Sequence, residues 1–219
     1  MKSQLENEII KRLRQNIKID KDSYVALQFS DPFQILVSTI LSQNTNDKNS
    51  LQATKKFVET VDSDPFKVIG MKPEELSEII RSSGMHNQKA KTIIRAAKWI
   101  VETYDGDLAK SKNDDPQQIK NQLLKIKGIG PKTADVFLLF YLGARAFPVD
   151  VHIKRVSSRL NLATGKYEEI SRSLLDKFED PLEAHLLLIA LGRKYCRPTS
   201  PRCSQCPLQD ICPSANKIK

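Results

Sequence analysis

Four cysteines near the C-terminus are the residues of this 219-residue chain most suited to chemistry. Cys196, Cys203, Cys206 and Cys212 have the spacing C-x6-C-x2-C-x5-C. Residues 1–14 form a polar amphipathic stretch without a secretory signal, so we expect these thiols to bind metal rather than form disulfides. Prolines between the cysteines favour turns that can direct several thiolates to one point. Four thiolates suit a tetrahedral zinc or a [4Fe-4S] cluster, and the spacing alone leaves both open.

A second candidate site lies in residues 123–134, which read Leu-Leu-Lys-Ile-Lys-Gly-Ile-Gly-Pro-Lys-Thr-Ala. Gly128 and Gly130 permit a tight hairpin, and the proline that follows suits the first turn of a helix. Amides at that helix start would form an anion site for a DNA phosphate, with Lys127 and Lys132 beside it. A nucleotide-binding P-loop is excluded, because a lysine stands at its first glycine position and a proline interrupts its Gly-Lys pair. A purely structural helix turn is the alternative.

Asp150 is the carboxylate that could work with this lysine. It follows the apolar Phe147-Pro148-Val149 and precedes an amphipathic stretch, so we expect it at the start of a helix. There it can cap the helix, act as a charged partner in catalysis, or do both. Without Asp150, Lys132 would be interpreted as a plain phosphate contact.

The charge of the chain favours a polyanionic partner. Lys and Arg number 35 against 26 Asp and Glu, which gives a net charge of +9. The excess is concentrated in residues 123–155 and 187–219 rather than spread evenly, as expected for a nucleic-acid-binding surface. Basic excess that merely aids solubility is the alternative.

Hydrophobic periodicity predicts helix after helix and almost no strand, so we expect an all-α fold. Asp31-Pro32 predicts a capped helix through residues 33–41. No apolar run reaches the length of a membrane span, so we expect no membrane association and a cytoplasmic, nucleoid-associated location. The other predicted helices carry apolar residues at helical spacing and cover Ser3–Gln15, Pro73–Ser83, Gln88–Tyr104, Gln117–Ile126, Thr133–Leu142, Asp150–Leu162, Tyr167–Phe178 and Pro181–Lys194.

Taken together, these motifs resemble the endonuclease III family of helix-hairpin-helix DNA glycosylases. The resemblance rests on Lys-Gly-Ile-Gly-Pro-Lys-Thr-Ala at 127–134, Pro-Val-Asp-Val-His-Ile at 148–153 and the four-cysteine loop, with Gly-Met-His-Asn-Gln-Lys-Ala at 84–90 in support. It implies two helical domains flanking a DNA-binding cleft: a central six-helix domain with the helix-hairpin-helix at residues 23–133, and a second domain formed by 1–22 plus 134–219. It also implies that the cysteines hold a [4Fe-4S] cluster rather than zinc.

The resemblance also implies roles for individual residues. Lys132 matches the nucleophilic lysine of the family and Asp150 its catalytic carboxylate. Asn44 and Met85 match the residues that fill the gap left by an extruded base, where bacterial members usually have Gln and Leu. The departures at Asn44 and Met85 leave the substrate range open. The alternatives are a helix cap for Asn44 and a core residue for Met85. The implied DNA-binding residues are Asn44, Met85, Lys127, Gly128, Gly130 and His152.

The function implied by the resemblance is that of a bifunctional DNA glycosylase and apurinic/apyrimidinic lyase. Such an enzyme removes oxidised pyrimidines in base excision repair, through a lysine Schiff base and β-elimination. Its partner would be double-stranded DNA with damaged bases or abasic sites, and we expect a monomer. Two alternatives are a mismatch-type uracil, thymine or adenine glycosylase and a non-catalytic DNA-binding metal protein. Lys132 argues against the first alternative, and Lys132 together with Asp150 argues against the second.

Overall fold

The computed structural model describes residues 4–20 and 24–215. Within those residues the regular secondary structure is helical and includes no strand, which confirms the predicted all-α fold. The predicted start of the first helix, Ser3, lies outside the described residues. The α-helices are α1 (Gln4–Asn16), α2 (Pro32–Leu41), α3 (Asp47–Val61), α4 (Pro65–Gly70), α5 (Pro73–Ile79), α6 (His86–Tyr104), α7 (Pro116–Lys125), α8 (Pro131–Phe140), α9 (Val151–Arg159), α10 (Tyr167–Lys177) and α11 (Pro181–Lys194). Short 3-10 helices cover Val25–Gln28, Arg81–Ser83, Leu108–Asn113 and Cys203–Gln205.

An Asp-Pro pair begins four of these helices: α2, α4, α7 and α11. The aspartates are Asp31, Asp64, Asp115 and Asp180, and their side chains accept backbone amide hydrogen bonds of 2.9, 2.8, 3.2 and 2.9 Å. Such a cap contributes about 1 kcal/mol to stability, and the fixed φ of the following proline suits the first helical turn. The sequence therefore dictates where these helices begin.

The chain divides into two compact units, Asp20–Ala144 and Met1–Ile19 with Arg145–Lys219. The second boundary between the units lies after α8, whereas the family resemblance implies one between residues 133 and 134. The physical reason is packing: α8 lies against α2 and α7, and its Ala134 and Phe137 are fully buried there. The first predicted boundary, between 22 and 23, falls in residues 21–23, outside the described part.

The unit Asp20–Ala144 is organised around α2 and α6. Helix α2 is buried along nearly its whole length, and its residues Leu36 and Ile40 are fully buried. It packs against α3, α6 and α8, while α6 packs against α4 and α5. The loops that leave these two helices are therefore attached to a rigid core.

The other unit is organised around α11, which packs against α1 and α9. Leu187 and Leu188 of α11 and Val156 of α9 are buried in this interface. Gly192 permits the close approach, because a Cβ at this position would lie 2.9 Å from the Cβ of His152. Helix α9 begins after Asp150 and α11 leads into the cysteine loop, so the packed pair of α9 and α11 supports both Asp150 and the cysteines. Within the described residues, none of the helices is long and apolar enough to span a membrane.

Candidate functional site

The helix-hairpin-helix consists of α7, α8 and the turn between them. Ile129 anchors the turn in the core at 5% exposure, and its amide donates to the carbonyl of Ile126 at 2.9 Å. Gly128 has a φ of +105°, and a Cβ there would overlap the Thr92 side chain. Gly130 has a φ of −103° and open space around it. The tight turn therefore requires glycine at 128 for its conformation, while 130 is a glycine without a conformational need.

Helix α8 differs from the Asp-capped helices at its N-terminus. Its N-cap is Gly130, so no cap side chain accepts a hydrogen bond from the first-turn amides. Pro131 is the first helical residue and Lys132 the second, and the Lys132 side chain is half-buried. An uncapped helix start carries a partial positive charge and suits an anionic ligand such as a phosphate. The predicted helix start at Thr133 is two residues too late, because the proline already belongs to the helix.

Asp150 is the N-cap of α9. Its Oδ1 accepts a hydrogen bond from the amide of Ile153 at 2.7 Å, and the side chain is half-buried. The residues before it, Phe147 to Val149, are buried and fix its approach. The capping role is therefore present, and a carboxylate retains a second oxygen that can serve chemistry at the same time.

His152 lies two residues further along α9, half-buried between α9 and α11. Nη2 of Arg155 lies 3.0 Å from its Nδ1. Because a guanidinium can only donate, Nδ1 is the acceptor and the proton of the neutral ring is on Nε2. Burial lowers the pKa of His152, which keeps the ring neutral near pH 7. The arrangement orients the imidazole, and its predicted contact with DNA stays a prediction.

The four cysteines lie in the loop after α11, and all of them line a single cavity. Two arginines of α9 hold the loop: Arg155 donates to the carbonyl of Cys196 at 2.7 Å, and Arg159 donates to that of Arg197 at 2.6 Å. Nη1 of Arg159 also lies 3.4 Å from the Cys196 sulfur. The loop is thus fastened to the helix that Asp150 caps.

The donor set fits an iron-sulfur cluster. All four thiols line the same cavity, and among the described residues no His, Asp or Glu lines it with them. Structural zinc needs four ligands on one ion, whereas each iron of a [4Fe-4S] cluster takes one thiolate. Burial raises the pKa of the Cys206 and Cys212 thiols, so cluster binding must displace their protons.

The predicted wedge residues come together on the surface of the unit Asp20–Ala144. We call residues 42–46 and 84–85 the wedge loops. Asn44 has a φ of +51° and Met85 a φ of +48°, and both side chains are exposed. Nδ2 of Asn44 lies 3.8 Å from Sδ of Met85. The alternative of a core methionine is wrong, because Met85 is 52% exposed. The alternative of a helix cap is wrong as well, because Asn46 is the N-cap of α3 and Ser42 is the C-cap of α2.

Two residues around this site are not predicted from the sequence. Nε2 of Gln43 donates to Thr133 Oγ1 at 3.0 Å and lies 3.3 Å from the carbonyl of Gly128, which ties a wedge loop to the hairpin. Lys89 is buried beneath both wedge loops. For Gln43 the signal is its place next to Asn44, and for Lys89 it is the position four residues before Ile93, on the apolar face of α6.

Comparison with known proteins agrees with this geometry. The profile of the HhH-GPD superfamily base excision DNA repair proteins matches residues 37–180, and that of the iron-sulfur binding domain of endonuclease III matches residues 196–212. The chain is 38% identical to endonuclease III of Sulfolobus acidocaldarius over 94% of each chain. It is 30% identical to endonuclease III of Escherichia coli over 96% of each.

Solved structures give the same result. A trapped covalent endonuclease III–DNA intermediate, an estranged-adenine complex, has a TM-score of 0.80 at 28% identity and 97% coverage of both chains. A non-covalent endonuclease III–DNA complex has a TM-score of 0.82 at 26% identity, over 98% of this chain and 96% of that one. The chain therefore belongs to the HhH-GPD superfamily of base excision DNA repair proteins and, within it, to the endonuclease III family.

Proposed function

We propose that Lys132 and Asp150 are the catalytic pair of this chain, which is a base excision repair DNA glycosylase and apurinic/apyrimidinic lyase for oxidised pyrimidines. The observation that carries the assignment is the position of Lys132 at the second residue of α8, directly after the hairpin and its glycine cap. If the hairpin binds a backbone phosphate, the sugar next to that phosphate would lie near a lysine at this position. The mismatch-type alternative lacks any feature of the described residues in its favour.

Lys132 would act as a neutral amine. The positive end of the α8 dipole and desolvation by an extruded nucleotide both disfavour the ammonium form. The amine attacks C1′ of the damaged nucleotide, the C1′–N bond breaks, and its electron pair and a proton leave with the base. Opening of the sugar ring then gives a Schiff base between Lys132 and C1′. Loss of a C2′ proton breaks the C3′–O bond and cuts the strand on the 3′ side.

Asp150 would supply charge at the same sugar. Its Oδ1 is held by the Ile153 amide, so the carboxylate needs little reorganisation as the reaction proceeds. It assists deprotonation of Lys132 and stabilises positive charge that develops on the sugar while the base leaves. The cap and the catalytic role support each other, because the cap fixes the direction of the carboxylate.

Binding would be divided between two surfaces of the unit Asp20–Ala144. The amides around Gly128 and Gly130, with Lys127 beside them, would hold a backbone phosphate without reading sequence. The wedge loops would place Asn44 and Met85 in the gap left by the extruded base. Asn44 is shorter than the Gln that is usual at this position, so it would fill the gap differently. Lesion preference would therefore depend on Asn44 and Met85.

The [4Fe-4S] cluster is the cofactor of this family loop, and its ligands here would be Cys196, Cys203, Cys206 and Cys212. When bound, the cluster would link the loop through these four thiolates and would serve a structural rather than a catalytic role. The loop and the end of α11 carry basic side chains that would then face DNA phosphates: Arg193, Lys194, Arg197 and Arg202.

DNA is the partner of this chain. We infer that it prefers duplexes with damaged pyrimidines or abasic sites, that it works as a monomer, and that it resides with the nucleoid. The test is excision by the cluster-loaded protein from duplexes that carry an oxidised pyrimidine, uracil opposite guanine, or no lesion. We expect strand cleavage with the oxidised pyrimidine and none with undamaged DNA. Preference for the uracil duplex would favour the mismatch-type activity instead.

A further inference from the structure

Lys89, near the start of α6, is a buried lysine that the catalytic proposal does not use. Its side chain is 4% exposed. Its Nζ donates hydrogen bonds to the carbonyl oxygens of Leu41 at 2.9 Å and Ser83 at 2.7 Å. A lysine is almost never buried this far unless its polar head is compensated, so these two bonds account for its position.

Both acceptors are the last carbonyls of a helix. Leu41 ends α2, and Ser83 ends the 3-10 helix Arg81–Ser83. Such carbonyls lack partners within their own helix and lie at the negative end of its dipole, so an ammonium satisfies both at once. Burial opposes the charge and lowers the pKa of Lys89 to about 8. The two carbonyls favour the charged form against that desolvation.

Each of these helix ends leads directly into a wedge loop. Asn44 follows Leu41 by three residues and Met85 follows Ser83 by two, and both have a positive φ. A left-handed conformation is unfavourable for a residue with a side chain such as that of Met85. It persists only where the surroundings hold it. Lys89 is the group that joins the two loop starts, and the loops meet again at the 3.8 Å contact of Asn44 with Met85.

We propose that Lys89 is a positioning residue for base extrusion, whose single ammonium joins the two wedge loops so that Asn44 and Met85 act as one preassembled wedge. The inference rests on the proposed function, because a wedge matters only to an enzyme that extrudes a base. Preassembly matters most in a fully paired duplex, where extrusion must break pairing. It matters less where the lesion is already mispaired.

The test compares Lys89→Met with Lys98→Met in the cluster-loaded protein. Both substitutions remove one charge from α6, but Lys98 is exposed and 3.6 Å from the Glu102 carboxylate. We expect Lys89→Met to slow excision from a paired duplex about tenfold more than from a mispaired one, since it leaves two carbonyls unsatisfied beneath the loops. Lys98→Met should keep the wild-type ratio. Borohydride trapping on a preformed abasic site should survive in both variants, because Lys132 is untouched.

Two further measurements separate positioning from general stability. Lys89→Arg keeps the charge and the donors and should restore the wild-type ratio of paired to mispaired excision. In an Asn44→Ala, Met85→Ala background, as in a Met85→Ala background that has lost one half of the wedge, Lys89→Met should change the ratio much less than it does in the wild type. If Lys89→Met does not fold, NMR of the wild-type protein decides: the Lys89 ammonium hydrogens should exchange slowly and couple to the carbonyl carbons of Leu41 and Ser83.

The outcomes are distinct. Equal slowing on paired and mispaired duplexes, an unchanged effect in the Met85→Ala background, or rapidly exchanging ammonium hydrogens would each overturn the role of Lys89. A wild-type protein that excises no base from any duplex would instead overturn the proposed function.

Discussion

Gly128→Ala is the substitution whose cost follows most directly from the structure. A φ of +105° costs an alanine about 1–3 kcal/mol. Its Cβ would also overlap Thr92, whose Oγ1 donates to the carbonyl of Gln88 at 3.0 Å. Displacing that hydroxyl sacrifices a hydrogen bond worth about 0.5–1.5 kcal/mol. We therefore expect a loss of about 2–4 kcal/mol in the free energy of unfolding.

Gly130→Ala is the matched control, because Gly130 has a φ of −103° and a Cβ added there would meet nothing within 4 Å. At an N-cap, alanine is a poorer residue than glycine but also restricts the unfolded chain, so the net change should stay below about 1 kcal/mol. Thermal unfolding followed by circular dichroism should show a Tm lower by at least about 2 °C for Gly128→Ala than for Gly130→Ala. Equal Tm values for the two variants would refute the argument from backbone conformation.

Three other substitutions test binding, extrusion and charge. Gly130→Asp should fold, since the new side chain enters open space, but it should weaken binding to all duplexes alike because it places a carboxylate at the phosphate site. Unchanged affinity for undamaged DNA in a filter-binding assay would contradict this. Met85→Ala should slow excision more from a paired than from a mispaired duplex with little change in Tm, because the side chain is 52% exposed, whereas a large Tm loss would indicate a packing role. Asp150→Asn keeps an N-cap of equal quality but removes the charge, so the single-turnover excision rate should fall at least about a hundredfold while the Tm is unchanged. An excision rate equal to that of the wild type would exclude Asp150 from the chemistry.

The sequence predicts most helices and both chemical motifs because their determinants are local. Asp31-Pro32 fixes the start of α2, and the cysteine spacing with its prolines predicts a metal loop. Helices α3 and α4 are not predicted, since α3 is largely polar and α4 is only six residues long. Their positions are decided by packing against α2 and α6.

Tertiary placement decides what the sequence leaves open. Neither Asn44 nor Met85 is a glycine, so their positive φ values and their contact cannot be predicted from residue type. Lys89 stands four residues before Ile93, on the apolar face of α6, but its residue type favours exposure. Its burial depends on the two carbonyls that its ammonium meets in the folded chain. The choice between zinc and a cluster is likewise left open by the cysteine spacing, and the match of residues 196–212 to the iron-sulfur binding domain of endonuclease III decides it.

Borohydride trapping tests most directly whether Lys132 is the nucleophile. The experiment uses three cluster-loaded proteins: the wild type, Lys132→Gln and Lys127→Gln. Each protein is incubated with a duplex that carries an oxidised pyrimidine, and the mixture is reduced with borohydride. Mass spectrometry then identifies the cross-linked peptide. We predict a cross-link at Lys132 in the wild type and in Lys127→Gln, and none in Lys132→Gln, which should still bind damaged DNA because it loses at most one phosphate-like contact. A cross-link of wild-type yield in Lys132→Gln would contradict the assignment and show that another amine attacks the sugar.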